Sequence, residues 1–468
     1  MGQGPGDRLP HQILGNPLPG AHPRGTDRGS YRGSPLHPRL FPRSHPEAAG
    51  RGGRLLITTG RRSMADTPEG ALTGYRVLDL TDFKGAYCTK LLADLGADVI
   101  KIEPPEGDPT RKMPPFAQDT PHPEKSIPFL FRNAGKRSIT LNLQVPAGRM
   151  IFQRLIEKAD VLVETHPPGY LEELGLDYEA LRGLNPGLIM ASITEFGQSG
   201  PHRDWKGSAI VDFALSGVMI ESGFPEKAPC NLPDMPAYDA TSVMAALSIV
   251  LSLYDRGITG EGRFIDVSVR ENARLAIYPW AVTIQSYATP PGGPPPPPES
   301  RMGPAVFPVY PCRDGFVRIV AITPGQWDGF LKALGNPEAL TKPEWRDYLY
   351  RIVHAKELYD NVVGFTMRYS MEELFNAGHR FGVPIAPVYD VAGFVGSPQT
   401  KARRFFVPMN HPFIGEFAYP GPPYKWSETP ALVRSSAPCL GQHNEEILGG
   451  ELGLSKTELA ALRFAGVI

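Results

Sequence analysis

The feature that most constrains the fold is an alternation of apolar patterns that begins just after Met64. Residues 75–80 (YRVLDL) form a short, nearly continuous apolar run. Residues 87–95 (YCTKLLADL) carry apolar side chains at helical spacing, Gly96 closes that segment, and 98–103 (DVIKIE) is a second apolar run. Strand, helix and strand within about thirty residues is the βαβ unit of a parallel sheet, with a right-handed connection. The alternation continues through a strand at 138–143, a helix at 146–158 opening on Pro146, a strand at 160–164, a helix at 171–181 and a strand at 188–194. Strands this apolar need helices on both faces of their sheet. The expected fold class is therefore α/β, a Rossmann-like, doubly wound parallel sheet that takes ligands at the carboxyl ends of its strands. The dinucleotide fingerprint is missing, because the first turn, TDFKGAYCTK, has Gly85 alone where G-x-G-x-x-G would stand. Nothing in the pattern calls for NAD.

At 468 residues the chain exceeds one ordinary core. A long apolar helix is expected at 240–254, then a Gly-rich turn and a strand at 263–269. TPPGGPPPPP at 289–298 reads as a stiff surface connection. Beyond it come a hairpin over 309–322 turning at Arg313-Asp314-Gly315, helices at 327–334 and 371–376, and an edge-like strand at 384–388. A last helix is expected at 456–464. The expected organisation is a large domain from 64–285 and 395–468, a linker at 286–299, and a smaller α/β domain at 300–394.

Charge divides the chain unevenly. Residues 1–63 hold ten Arg, no Lys and three acids, a net +7, so the remainder of a chain with total charge −1 carries −8. That first segment, with twelve Gly and nine Pro and no apolar periodicity, is expected to be disordered. The mildly acidic body has no clustered Lys and Arg and so no electrostatic footprint for nucleic acid. Its longest apolar stretch, at 243–253, is shorter than the ~20 residues of a bilayer span, which predicts no membrane association. Cys88, Cys230, Cys312 and Cys439 show neither metal-ligand spacing nor a disulfide framework, which points to no metal and to a reducing, cytoplasmic compartment.

A series of stretches, in order, resembles the family III CoA-transferases, the CaiB/BaiF family: GYRVLDLT, LLADLGADVIKIEPPEGDPTR, RNAGKRSITLNL, ADVLVETHPPGYLEELGLDYEAL, LNPGLIMASITEFGQSGP, AYDATSVMAALSIVLSL and the closing APCLGQHNEEIL and ELGLSKTELAALRFAGVI. The resemblance spans nearly all of 72–468. It implies an interlocked homodimer, acyl-CoA and a small carboxylic acid as substrates, and no permanently bound cofactor. It further implies that Asp239, in AYDATS, is the carboxylate that takes the acyl group and then CoA. A place just before the 240–254 helix suits an ionised carboxylate, since free N–H groups and the helix dipole favour an anion there. The same place suits a plain helix cap. Asp234 and Asp266 read as loop and strand-end residues.

By motif position, the resemblance puts CoA against Lys84 and Gly85, Leu141 and Asn142, Thr165, His166 and Pro167, and Lys206. Lys84 and Lys206 are the cations suited to phosphate; both also fit as solvated surface lysines. Two places where family members often carry Arg hold Pro104 and Glu173 here, leaving Arg111 or Arg132 as compensating cations. Two other functions stay open. An α-methylacyl-CoA racemase shares the fold, but its His-Asp pair is replaced by Ser208 and Ala209, leaving two-base proton exchange without a partner. A non-catalytic CoA-binding dimer is the other.

Overall fold

The structure, a computed structural model, describes residues 69–219, 223, 227–277 and 308–468. The extension 1–63 and the linker 286–299 lie outside the described residues. The described residues belong to one compact unit.

Among the described residues the main sheet has six parallel strands: β1 (Arg76–Leu80), β2 (Asp98–Glu103), β3 (Arg137–Thr140), β4 (Val161–Glu164), β5 (Ile189–Thr194) and β6 (Phe264–Ser268). Their order is β3-β2-β1-β4-β5-β6, the doubly wound arrangement that was expected. Apolar strands follow from what each face covers. Val77, Val99, Val161, Val163, Ile189 and Ala191 point into one core, while Leu78, Ile100, Leu162 and Met190 point into the other. Alternate residues of a strand face opposite sides, so a sheet buried twice needs an unbroken apolar run.

The first core is closed by α1 (Ala86–Asp94), α6 (Ala209–Leu215) and α7 (Pro236–Thr259); the second by α3 (Pro146–Ile156), α5 (Tyr178–Leu184) and the C-terminal segment. That segment also covers the free edge of β3. The Ser138 N–H donates to His443 Nδ1 at 3.0 Å, the Thr140 N–H to Asn444 Oδ1 at 2.9 Å, and the Asn142 N–H to the Val467 carbonyl at 2.7 Å. A third core, with Tyr310, Trp327, Phe330 and Trp345 at its centre, surrounds an antiparallel sheet of β7 (Val309–Cys312), β8 (Gly315–Ile319) and β9 (Ile385–Pro387).

Four local expectations change. The single helix at 171–181 is two short ones, α4 (Tyr170–Glu173) and α5, because Gly175 turns the chain at φ +68° and Asp177 caps the second by accepting from the Ala180 N–H. Helix α2 (Ile127–Asn133), capped by Ser126, carries no helical apolar period and was not foreseen, nor was α6. A hairpin of β10 (Phe406–His411) and β11 (Gly415–Pro420) is also additional. Finally, α7 runs for 24 residues, from Pro236 at its first position to Gly260 at φ +76°, and is long and apolar enough by composition to cross a bilayer. It nevertheless buries Ala237, Tyr238, Ala245, Ala246, Ile249 and Leu253 against the sheet.

Candidate active site

Strand order reverses between β1 and β4, and the loops leaving those two strands form the crevice where doubly wound sheets hold ligands. They are laced together. The Asp82 N–H donates to Thr165 Oγ1 at 2.8 Å, that hydroxyl donates to Asp82 Oδ1 at 3.0 Å, and Lys84 Nζ lies 3.0 Å from Asp82 Oδ2. Gly85 is required by space: a Cβ there would lie 2.8 Å from the methyls of both Thr165 and Thr81, which are branched and buried.

Beneath this crevice lies an ionic network without solvent contact. Lys136 Nζ donates to Asp79 Oδ2 (2.8 Å), to the Ala86 carbonyl (2.9 Å) and to Asn133 Oδ1 (2.8 Å), while Lys101 Nζ donates to the Thr81 carbonyl (2.6 Å) and pairs with Asp108 (2.7 Å). Burial opposes the Asp79 charge, yet the Lys136 and Lys101 ammoniums hold its carboxyl well below the usual range. The loop after β1 is thus fastened from below.

Asp239 stands in the first turn of α7, not ahead of it, and its own N–H donates to the Met235 carbonyl at 3.1 Å. The helix starts earlier than expected because Pro236 is well suited to its first position. Asp239 is therefore not the cap, although the positive end of α7 still favours its charge. Its partner comes from α2: Arg132 Nε and Nη2 reach Oδ1 at 3.2 and 3.1 Å, and Nη2 reaches Oδ2 at 3.1 Å. Arg132 is 4% exposed and Asp239 30%, so the carboxylate faces solvent on one side and a buried guanidinium on the other. Burial raises the Asp239 pKa, Arg132 opposes that, and the net direction is upward. Helix α7 also meets the switch-point loop, with Tyr238 edge-on to Phe83 at 5.5 Å and Ser242 Oγ donating to the Lys84 carbonyl at 3.2 Å.

The structure thus gathers Lys84, Gly85, Thr165, His166 and the start of α7 around one crevice, with Pro167 exposed beside it. Leu141 and Asn142 follow the carboxyl end of β3, on the same edge of the sheet but two strands away from β1. The Leu141 side chain is buried in the second core, and the Asn142 side chain accepts from the Gln144 N–H and donates to the Gly466 carbonyl. Lys206 is exposed on the loop before α6. Neither suggested substitute cation is available for phosphate. Arg111 is enclosed by Glu103 at 2.6 Å, Glu124 at 2.7 Å and the Phe129 ring, and Arg132 holds Asp239.

Two groups were missed. Glu164 ends β4, accepts the His166 N–H at 2.7 Å, and is pushed up to about 7 by burial, against Ser192, that N–H and Lys84. Asp212, fully buried, and Glu195, half-buried, form a carboxyl pair next to Tyr238. No periodicity marks either group; the ETH and ITE stretches at strand ends were the available signal. Elsewhere, the donor atoms of Glu124, His411 and Cys439 lie within 4.8 Å of one another. Glu124 already accepts from Arg111 and the Leu440 N–H, and His411 Nδ1 accepts the Phe413 N–H, which leaves the neutral ring's proton on Nε2.

The family model for CoA-transferase family III matches residues 72–444. The chain is 35% identical to the succinyl-CoA:(R)-benzylsuccinate CoA-transferase subunit BbsE of Thauera aromatica, over 80% of this chain and 92% of that one. It is 33% identical to the succinyl-CoA–D-citramalate CoA-transferase of Chloroflexus aurantiacus (86% and 99%) and 33% identical to the formyl-CoA:oxalate CoA-transferase of Streptomyces avermitilis (85% and 99%). A CaiB/BaiF family protein from Brucella suis superposes with a TM-score of 0.71 at 28% identity, covering 82% of this chain and 99% of its own. Sequence and fold agree, and the chain belongs to CoA-transferase family III.

Proposed function

We propose that this protein moves CoA from an acyl-CoA donor to a carboxylic acid acceptor, with Asp239 as the covalent carrier. The observation that carries this reading is the Asp239 carboxylate, part-exposed on the first turn of α7 and held by a buried Arg132. An Asp239 oxygen attacks the thioester carbonyl, the C–S bond breaks, and a mixed anhydride forms with release of CoA thiolate. The thiolate attacks the Asp239 carbonyl and expels the donor carboxylate, leaving an aspartyl-CoA thioester. The acceptor carboxylate attacks that thioester, forming a second anhydride and freeing the thiolate. The thiolate then takes the acceptor acyl group and restores Asp239. No proton is gained or lost over the cycle.

Relatives named for succinyl-CoA and for benzylsuccinate, citramalate, malate and mesaconate define the first panel to screen. Incubation with succinyl-CoA alone, followed by hydroxylamine and peptide mass spectrometry, should place a hydroxamate on Asp239. A hydroxamate on another residue, or none with transfer intact, removes the mechanism.

Arg132 supports the reading over epimerisation. The group that meets Asp239 is a fixed cation, which cannot serve as a second base. With Arg132→Gln, burial acts on Asp239 unopposed and its pKa rises further. Because the carboxylate is the reactive form, activity should fall with acidification by about tenfold more than in the parent between pH 8 and pH 5. A parallel pH profile would falsify that role for Arg132.

We also infer a cytoplasmic homodimer. Its support is the unpaired state of the four cysteines and an apolar stripe on α7, where Val243, Leu247, Leu251 and Ile258 are all exposed at helical spacing. Light scattering with size exclusion should give twice the chain mass; a stable, active monomer overturns the dimer.

A further inference from the structure

Reached through Tyr238, the neighbour of Asp239 in α7, lies a polar group that the transfer chemistry does not use. Glu195 follows the last residue of β5, and Asp212 is in the first turn of α6. Asp212 is wholly inaccessible, and among the described residues neither of its oxygens has a donor. Its carboxyl stands within hydrogen-bond reach of Glu195. Glu195 Oε1 accepts from the Tyr238 hydroxyl at 3.1 Å, and Oε2 is buried without a donor. The Glu195 side chain is packed flat on Gly207, where a Cβ would come within 2.7 Å of Cγ.

With both Asp212 oxygens and Glu195 Oε2 buried, a double charge is strongly disfavoured, and a proton between the two carboxyl groups supplies the donor that these oxygens lack. Among the described residues, the charged or titratable groups facing them are few. From the β1–α1 loop, Lys84 is already paired with Asp82; from α7 there is the Tyr238 hydroxyl. Arg270 touches this region through its N–H to the Glu195 carbonyl and its Nε to the Leu215 carbonyl.

We propose that Glu195 and Asp212 are a one-proton carboxyl pair that fixes Tyr238 and, through it, the first turn of α7, so that they position Asp239 for transfer. The inference rests on the Asp239 reading above. Both are positioning residues: Asp212 is wholly buried, Glu195 Oε1 is held by the Tyr238 hydroxyl, and Glu195 Oε2 is buried. Loss of the shared proton sets two anions against each other and releases Tyr238, so activity declines on the alkaline side. Asp212 is pushed up to about 8 by burial and by Glu195, which places the decline near that pH. Stability follows the same sign. The folded chain keeps a proton that the unfolded chain sheds near pH 4, so this contribution is complete below that value and is lost as pH rises to about 8.

The test compares the full-length protein with Asp212→Asn and Glu195→Gln, whose amides donate at any pH. The parent should lose about tenfold in kcat/KM from pH 7 to pH 9, and each variant less than about threefold over the same range. The parent's thermal midpoint should fall over that interval while the variants' stays level. Tyr238→Phe should lower kcat with little change in KM. Equal alkaline limbs in parent and variants overturn the proposal, and so does a parent with no alkaline fall. Lys136, which burial pulls down to about 8, is common to all three proteins and cannot produce the difference. Failure of the Asp239 reading shows separately, as transfer retained by Asp239→Asn; the thermal series still reports the shared proton.

Discussion

Asp239→Asn should reduce CoA transfer by roughly 10⁴-fold while leaving the protein folded, as expected when a covalent nucleophile is replaced by a near-isostere. The Asn amide has no anionic oxygen with which to attack a thioester, so the first anhydride never forms. The side chain is 30% exposed, and no core packing depends on it. Its one structural role is to accept from Arg132 through three contacts of 3.1–3.2 Å. The amide oxygen can keep one or two of them, so the thermal midpoint should move little. Incorporation of labelled succinate into succinyl-CoA isolates this prediction from the unknown acceptor, because it needs only the first two steps and their reverse. Exchange that persists in Asp239→Asn would remove Asp239 from the mechanism, whatever acid the enzyme serves.

Lys136→Met should cost about 3–5 kcal/mol of stability, the largest structural effect expected of any single change near the site. The residue is fully buried, and its ammonium makes three hydrogen bonds of 2.8–2.9 Å. Methionine fills similar space but leaves the Asp79 carboxylate buried against Thr81 and Thr89 without its nearest cation. It also frees the Ala86 carbonyl and Asn133, the neighbours of Gly85 and Arg132, so activity should drop as well. Pairing the change with Asp79→Asn removes the stranded charge, and the double variant should be more stable than Lys136→Met alone. Denaturant titration of the two variants checks this; equal midpoints would show that the stranded charge is not the cause.

The sequence by itself determined the sheet and most of its helices. Runs such as VLDL and DVLVE specify strands because each residue, whichever way it faces, meets a helix, and the six strands take the expected parallel order. Gly85, Thr165 and His166 could likewise be placed at strand ends, where a doubly wound fold binds. Helices α2 and α6 escaped, since both are short, start on small polar residues and are held by tertiary contacts more than by periodicity.

The electrostatics of the site were decided by the tertiary structure alone. Arg132 and Asp239 are separated by 107 positions, Lys136 and Asp79 by 57, and Asp212 meets Glu195 only because α6 folds back over β5. Whether an arginine awaits a phosphate or holds a carboxylate depends on distances that local pattern does not encode. Arg111, open to the first use in sequence, is closed off by Glu103 and Glu124. The pairing of charges in the interior is set by which loops the sheet order brings together, and that order is fixed by the cooperative burial of both cores.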